Sequence, residues 1–172
     1  GLTGDGHFDR LHFNFSFYYA VGDESLNQVQ PFPLDSTISA FFAAAEASVD
    51  FDWARVKAFG LFGSGDDNPY DNHSAAFDSI FDNPNFAGAE TSYWIRQTIP
   101  LVFGGGVTLS GRNSVINSLR TSKDQGQSNF VNPGIGLVGV GTDLDILPQL
   151  RLIGNFSWLT FVHTQPLELL RQ

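Results

Sequence analysis

The feature that most constrains this chain is a strict two-residue alternation near its start. Leu11, Phe13, Phe15, Phe17, Tyr19 and Val21 occupy the odd positions, and His12, Asn14, Ser16, Tyr18 and Ala20 fill the even ones. A helix would scatter these side chains around its circumference, whereas an extended strand sends them all to one side. The run from Leu11 to Val21 is also longer than the five or six residues usual in a globular strand. It matches the roughly 9–11 residues that a tilted strand needs to cross a bilayer. One face of it is almost purely aromatic.

The same period continues downstream. After a polar stretch holding Gly22, Asp23, Asn27, Pro31, Pro33 and Asp35, a second strand is expected from about Thr37 to Val49. It carries Phe41, Ala43, Ala45, Ala47 and Val49 on one side. Ala40 to Ala47 is also good helix sequence, because Ala is the best helix former. The strand is preferred because Asp50-Phe51-Asp52 turns the chain straight into a third one, Trp53 to Phe62. There Ala54, Val56, Ala58 and Phe62 oppose Arg55, Lys57 and Phe59, and two long strands around a tight turn make a hairpin. Residues 63–91 are rich in Gly, Asp, Asn and Pro. A loop of that length is unusual in a compact soluble domain and ordinary on one side of an outer-membrane barrel.

Tyr93 to Phe103 reads as a weaker strand interrupted by Pro100,. Residues 104–128 read as a second polar loop, in which Val107 to Ile116 is a poor candidate for a further crossing. Gly134 to Thr142 is expected to be a Gly-dense strand, Leu144 to Gln149 a short turn, and Leu150 to Val162 the last strand. In the last, Leu152, Phe156 and Trp158 oppose Arg151, Asn155 and Ser157. One conflict follows. With the turns at 50–53 and 144–149 on one side, strands at 93–103 and 134–142 would both run towards it. Either 104–128 hides a crossing or 93–103 does not cross.

Composition narrows the chemistry. The chain has no Cys, so disulfides and thiolate metal sites are excluded, and its net charge of −9 opposes a nucleic-acid surface,. No run of about 18 apolar residues exists to form a helical span. The absence of Met even at position 1, and of a charged-then-apolar leader, leads us to expect a processed product or a stretch of something longer,. His7, His12, His73 and His163 lack metal-ligand spacing, and no Gly-x-Ser-x-Gly elbow is present,. Gly60 to Gly65 is Gly-rich but is followed by no helix or basic residue that would cradle phosphate. Neither enzymatic activity nor a cofactor is expected.

Charge placement suggests a site. Arg55, Lys57, Arg96 and Arg151 fall inside expected strands, whereas among the acids only Glu46 lies well inside one. In a barrel the polar face looks into the lumen, and a ring of Lys and Arg selects anions. The plainer alternative is a set of solvated side chains on a wet face. Tyr19, Trp53, Trp94 and Trp158 are candidates for the aromatic girdles found at membrane interfaces; in a soluble sandwich they would be core. Asp66, Asp67 and Asp71 offer oxygen ligands for calcium, but the spacing is not that of an EF-hand, and Asx residues beside Gly and Pro commonly form turns.

Several segments resemble large bacterial outer-membrane proteins related to alginate-export porins. They are Phe77-Asp78-Ser79-Ile80-Phe81-Asp82-Asn83-Pro84-Asn85-Phe86-Ala87-Gly88, Trp94-Ile95-Arg96-Gln97 and Leu119-Arg120-Thr121-Ser122-Lys123-Asp124-Gln125-Gly126-Gln127. To these are added Asn129-Phe130-Val131-Asn132-Pro133-Gly134 and Glu168-Leu169-Leu170. The resemblance covers most of the second half and implies a porin-like barrel passing solutes, anionic polysaccharide among them, across the outer membrane. Alginate exporters have a more strongly Arg-rich lumen than this chain could supply.

The expected fold is therefore all-β: residues 1–172 form part of a single antiparallel transmembrane β-barrel, a segment of a larger one. Its partners would be outer-membrane lipid and further barrel chain or other subunits, with no nucleic acid. Two other classes fit the same residues. One is a secreted β-sandwich that binds carbohydrate through exposed aromatics such as Tyr70 and Phe86. The other is a structural outer-membrane barrel with a plugged, non-conducting lumen.

Overall fold

The computed structural model describes residues 1–25, 35–78, 87–95, 99–100, 106–107 and 130–169. In chain order they form β1 (Leu2–Phe8), β2 (Leu11–Glu24), β3 (Ser36–Phe51), β4 (Ala54–Gly63), β5 (His73–Ser74) and α1 (Ala89–Ile95). These are followed by β6 (Ile99–Pro100), β7 (Gly106–Val107), β8 (Ile135–Leu147), β9 (Leu150–Thr160) and α2 (Gln165–Leu169). Six strands make one antiparallel sheet in the order β1-β2-β3-β4-β8-β9, with β5 running parallel to the start of β3. β6 and β7 form a separate pair. Among the described residues the large sheet is open, its edges being β1 and β9.

Three tight turns lie at one end of this sheet: Asp9-Arg10, Asp52-Trp53 and Pro148-Gln149. Asp9 takes φ 52°, a left-handed conformation that Asp tolerates and that two-residue hairpin turns call for. Neighbouring hairpins are stitched together there, because Asp50 N–H donates to Arg10 O at 2.9 Å and Asp145 N–H to Trp53 O at 2.8 Å. At the other end the chain leaves β4, adds β5 beside the start of β3, and later supplies β8 as the next neighbour of β4.

The register places the alternation across the whole sheet. Phe15 faces Ala45, Ala45 faces Gly60, Gly60 faces Val138 and Val138 faces Trp158, all on one side. That outer face is exposed and apolar: Val138 is 64% exposed, Phe156 67% and Trp158 67%. Among the described strand residues its one charged member is Asp23, near the end of β2. On the inner face, Ile38, Ala40, Phe42, Ala44, Phe59, Leu61, Ile135 and Leu137 form a buried cluster at the end away from the tight turns. Residues 64–78 and 130–134 cover this cluster. Phe77 packs at a tilt against Phe42 with ring centroids 5.2 Å apart, and Val131 is fully buried. The cover is held by Ser64 N–H to Phe41 O (2.9 Å), Ala76 N–H to Phe130 O (3.0 Å) and Asn132 Nδ2 to Phe77 O (3.1 Å). Gly134, at φ 62°, passes so close to Gly65 that a Cβ on either would meet backbone atoms.

Several expectations need correction. Tyr93 to Phe103 is not a crossing strand: Tyr93 and Trp94 belong to α1, and Ile99–Pro100 is a two-residue strand outside the large sheet. This removes the conflict in strand direction, since β4 pairs directly with β8. The Leu144-to-Gln149 turn is tighter than expected, because β8 continues to Leu147 past a register shift at Asp145/Leu147. β1 was not anticipated at all. Of the hidden crossing considered between Val107 and Ile116, only Val107 is described, at the end of β7; the rest lies outside the described residues. The Ala-rich segment of β3 is strand, as the tight turn that follows it leads us to expect.

Candidate functional site

The half of the inner face nearest the tight turns holds the polar side chains. Alternation puts Asp5 and His7 of β1, His12 and Asn14 of β2, Glu46, Ser48 and Asp50 of β3, and Arg55 and Lys57 of β4 on this face. Asp143 and Asp145 of β8 and Arg151 and Asn155 of β9 join them. A cavity of about 370 Å³ opens among them, lined by His12, Asn14, Glu46, Lys57, Glu90 and Asp143 among others.

The cations here are not a free positive lining. Arg55 donates two hydrogen bonds to Asp50, the one from Nη2 at 2.7 Å. His12 Nε2 lies 3.1 Å from the same carboxylate. Lys57 Nζ sits 2.7 Å from Glu90 and 3.0 Å from Asp143, and Arg151 contacts Asp143 at 2.9 Å and Asp145 at 3.7 Å. The sequence conceals this matching, because Asp143 follows the expected end of the strand at Thr142 and Asp145 falls in the expected turn. In the longer β8 their carboxylates share the inner face with the bases. Asp143 is almost fully buried, and a carboxylate there is tolerable only with cations beside it. Arg96 lies outside the described residues.

The expected aromatic residues part company. Tyr19 and Trp158 stand on the exposed outer face, with the Tyr19 hydroxyl 2.7 Å from Ser39 Oγ. Trp53 occupies the β3–β4 turn and is 64% exposed. Trp94 does not belong with them: it is half-buried on α1, packed against the inner cluster. Asp66, Asp67 and Asp71 do not make a metal centre, since no group of three or more His, Asp or Glu among the described residues is arranged to hold an ion. Asp71 instead accepts from His73 N–H at 2.9 Å and from Asn68 Nδ2 at 3.1 Å, as turn-forming Asx residues do,.

Asp66 has a separate role. It is 1% exposed and accepts from Ala75 N–H at 3.1 Å, which ties the two arms of the 64–78 loop together. Burial pushes its carboxyl up to about 6 from 3.8, more than the Ala75 hydrogen bond lowers it. An acid whose folded pKa lies above its unfolded value stabilises the fold fully below about pH 4. That contribution is lost as pH rises through 6. The docked loop is thus expected to lose about 3 kcal/mol between pH 4 and 7. Asp66→Asn should flatten this dependence in a pH series of denaturant melts. An equally steep slope in the variant would exclude Asp66 as its source.

α1 is the part of the site that the sequence concealed. Its first turn sits on the inner face, with the Glu46 carboxylate accepting from Thr91 N–H and, at 2.8 Å, from Thr91 Oγ1. Glu90 reaches Lys57 and also Asn155 Nδ2 at 3.2 Å. Ala87 N–H donates to Ser16 Oγ at 2.8 Å. Seven residues with a long-range carboxylate cap leave little local signal. The period-two pattern of a strand is weak here, and that weakness was the only cue. Comparison with protein-family models, curated proteins and solved structures finds no match for the chain.

Proposed function

We propose that the sheet is part of the wall of a bacterial outer-membrane β-barrel, its outer face in lipid and its inner face lining a porin-like path for polar solutes. The observation that carries this reading is the distribution of polarity between the two faces. A soluble antiparallel sheet buries its apolar face and wets the other. Here the aromatic and aliphatic face, charged only at Asp23 near the end of β2, is left exposed over six strands, while the face bearing the other charges is partly covered by the chain's own loops. A monomeric soluble protein rarely exposes an apolar patch larger than a few hundred Å². β2, β3, β4, β8 and β9 are 14, 16, 10, 13 and 11 residues long, each enough to cross a bilayer at a tilt.

Closure needs more strands than these six. An eight-stranded barrel has an interior just wide enough for its side chains, whereas this inner face already carries α1 and two loop segments. Open edges in hydrocarbon cost several kcal/mol per unpaired backbone group. Further strands, from the same chain or other subunits, therefore pair with β1 and β9.

The test is gel mobility of the membrane-extracted protein, unboiled against boiled, followed by conductance in planar bilayers. A heat-dependent shift with conductance supports the channel, and a shift without conductance supports a plugged structural barrel. A detergent-free monomer with no shift returns the chain to the soluble sandwich class. Solute preference is tested by Arg55→Glu with Lys57→Glu, which strips two cations from a wall already rich in carboxylates. Ion selectivity is expected to move towards cations, read as a shifted reversal potential. An unchanged reversal potential would mean that this face does not line the path.

A further inference from the structure

A short helix is anchored here by side chains from four different strands. Ser16 of β2 holds Ala87 N–H, Glu46 of β3 caps Thr91, and Lys57 of β4 and Asn155 of β9 hold Glu90. Residues 87–95 thus form a strap laid across the inner face, roofing the polar cavity on one side and packing Trp94 on the apolar cluster on the other. Within the strap, Thr91 is fully buried and Ser92 is 5% exposed. Ala87, at the base of the strap, is held at φ 47°. A residue with a Cβ keeps that conformation only where its surroundings enforce it. Capping the strap gives Glu46, on the inner face of β3, a specific partner.

We infer that residues 87–95 are a latch whose docking through Glu46, Lys57 and Glu90 sets the open cross-section of the path along the inner face. This rests on the proposed channel, and it deepens that reading by naming the element that narrows it. Undocking removes Glu90 from Lys57 but leaves Lys57 with Asp143, so that cation keeps a counter-charge when the strap lifts, while Ser16, Glu46 and Asn155 exchange their strap contacts for water. The strap is therefore the part that can move without unfolding the sheet.

The experiment is Glu90→Ala in the full-length membrane-inserted protein, read by amide hydrogen exchange and by conductance. Loss of a charge-assisted hydrogen bond should speed exchange at Thr91 and Ser92 about ten- to a hundredfold while β3 and β4 keep their protection. Conductance should rise roughly twofold or more if the strap narrows the path. A second variant keeps the test independent of folding defects. Ser16→Cys with Ala87→Cys, in a chain that has no other Cys, joins two positions already linked by the 2.8 Å hydrogen bond from Ala87 N–H to Ser16 Oγ, and a disulfide there would pin the strap to β2. Oxidation should return the conductance of Glu90→Ala to its unsubstituted level, and reduction should release it. Faster exchange with unchanged conductance would overturn the latch as the narrowing element and leave the channel standing. Unchanged exchange would overturn the latch itself. Absence of conductance in every form would remove the channel reading and this inference with it, even where exchange responds.

Discussion

Replacing Val140 by arginine is expected to destabilise the membrane-inserted protein by about 2–4 kcal/mol, the cost of a charge on the lipid face near mid-bilayer. Val140 lies on the outer face of β8 between Ala58 and Phe156, and it is 57% exposed. On a soluble protein, an arginine at so exposed a position changes stability by no more than about 0.5 kcal/mol. The two environments thus make opposite forecasts for one substitution. Urea unfolding from lipid vesicles would measure the difference. A loss within 0.5 kcal/mol would place Val140 in water and take the membrane reading with it.

The second large effect belongs to the inner face. Phe42→Ala is expected to cost about 3–5 kcal/mol, the range for truncating a fully buried aromatic residue. Phe42 is completely buried and packs against the tilted ring of Phe77 of the covering loop. The loss should fall on the loop layer, because the backbone ladder of β3 does not depend on this side chain. Residues 64–78 should become susceptible to limited proteolysis while the sheet keeps its strand content. A variant equally resistant to protease would mean that the loops are not fastened to the wall through this cluster.

The parts of the fold legible in the sequence are those whose stabilising contacts follow the local pattern. β2 announces itself because each of its outer positions from Leu11 to Val21 is large and apolar, and the β3–β4 hairpin because alternation resumes on both sides of Asp52-Trp53. β1 escapes the same test because Gly4 and Gly6 stand where bulky residues would be. The rings of Phe15 and Phe13 on β2 fill the space over them, a cross-strand substitution that one-dimensional periodicity does not register.

Acidic residues mislead in the opposite direction. Asp143 and Asp145 look like the edge of a turn, yet both continue β8, since Lys57 and Arg151 on neighbouring strands neutralise them. The candidate site was therefore half legible. The bases Arg55, Lys57 and Arg151 do share a face, but their matching carboxylates become visible only once the register is known. α1 depends on Glu46, Lys57 and Asn155, all distant in sequence. A seven-residue helix is too short to be stable alone, so its propensity carries almost no message. The segments that resemble alginate-export porins fall largely outside the described residues; their described parts, Phe77 and 130–134 among them, supply the cover over the inner cluster.

The most direct test of the central claim, that the outer face of this sheet lies in lipid, is a cysteine scan along β2. The chain has no native Cys, so single cysteines can be placed in turn from Phe13 to Ala20 and each labelled with a small fluorophore. Quenching by brominated acyl chains is then compared with quenching by iodide in water. A sheet in a bilayer should give lipid quenching at Phe13, Phe15, Phe17 and Tyr19 and little at Asn14, Ser16, Tyr18 and Ala20, a period of two. Iodide quenching at the odd positions, with no response to brominated lipid at either parity, would contradict it.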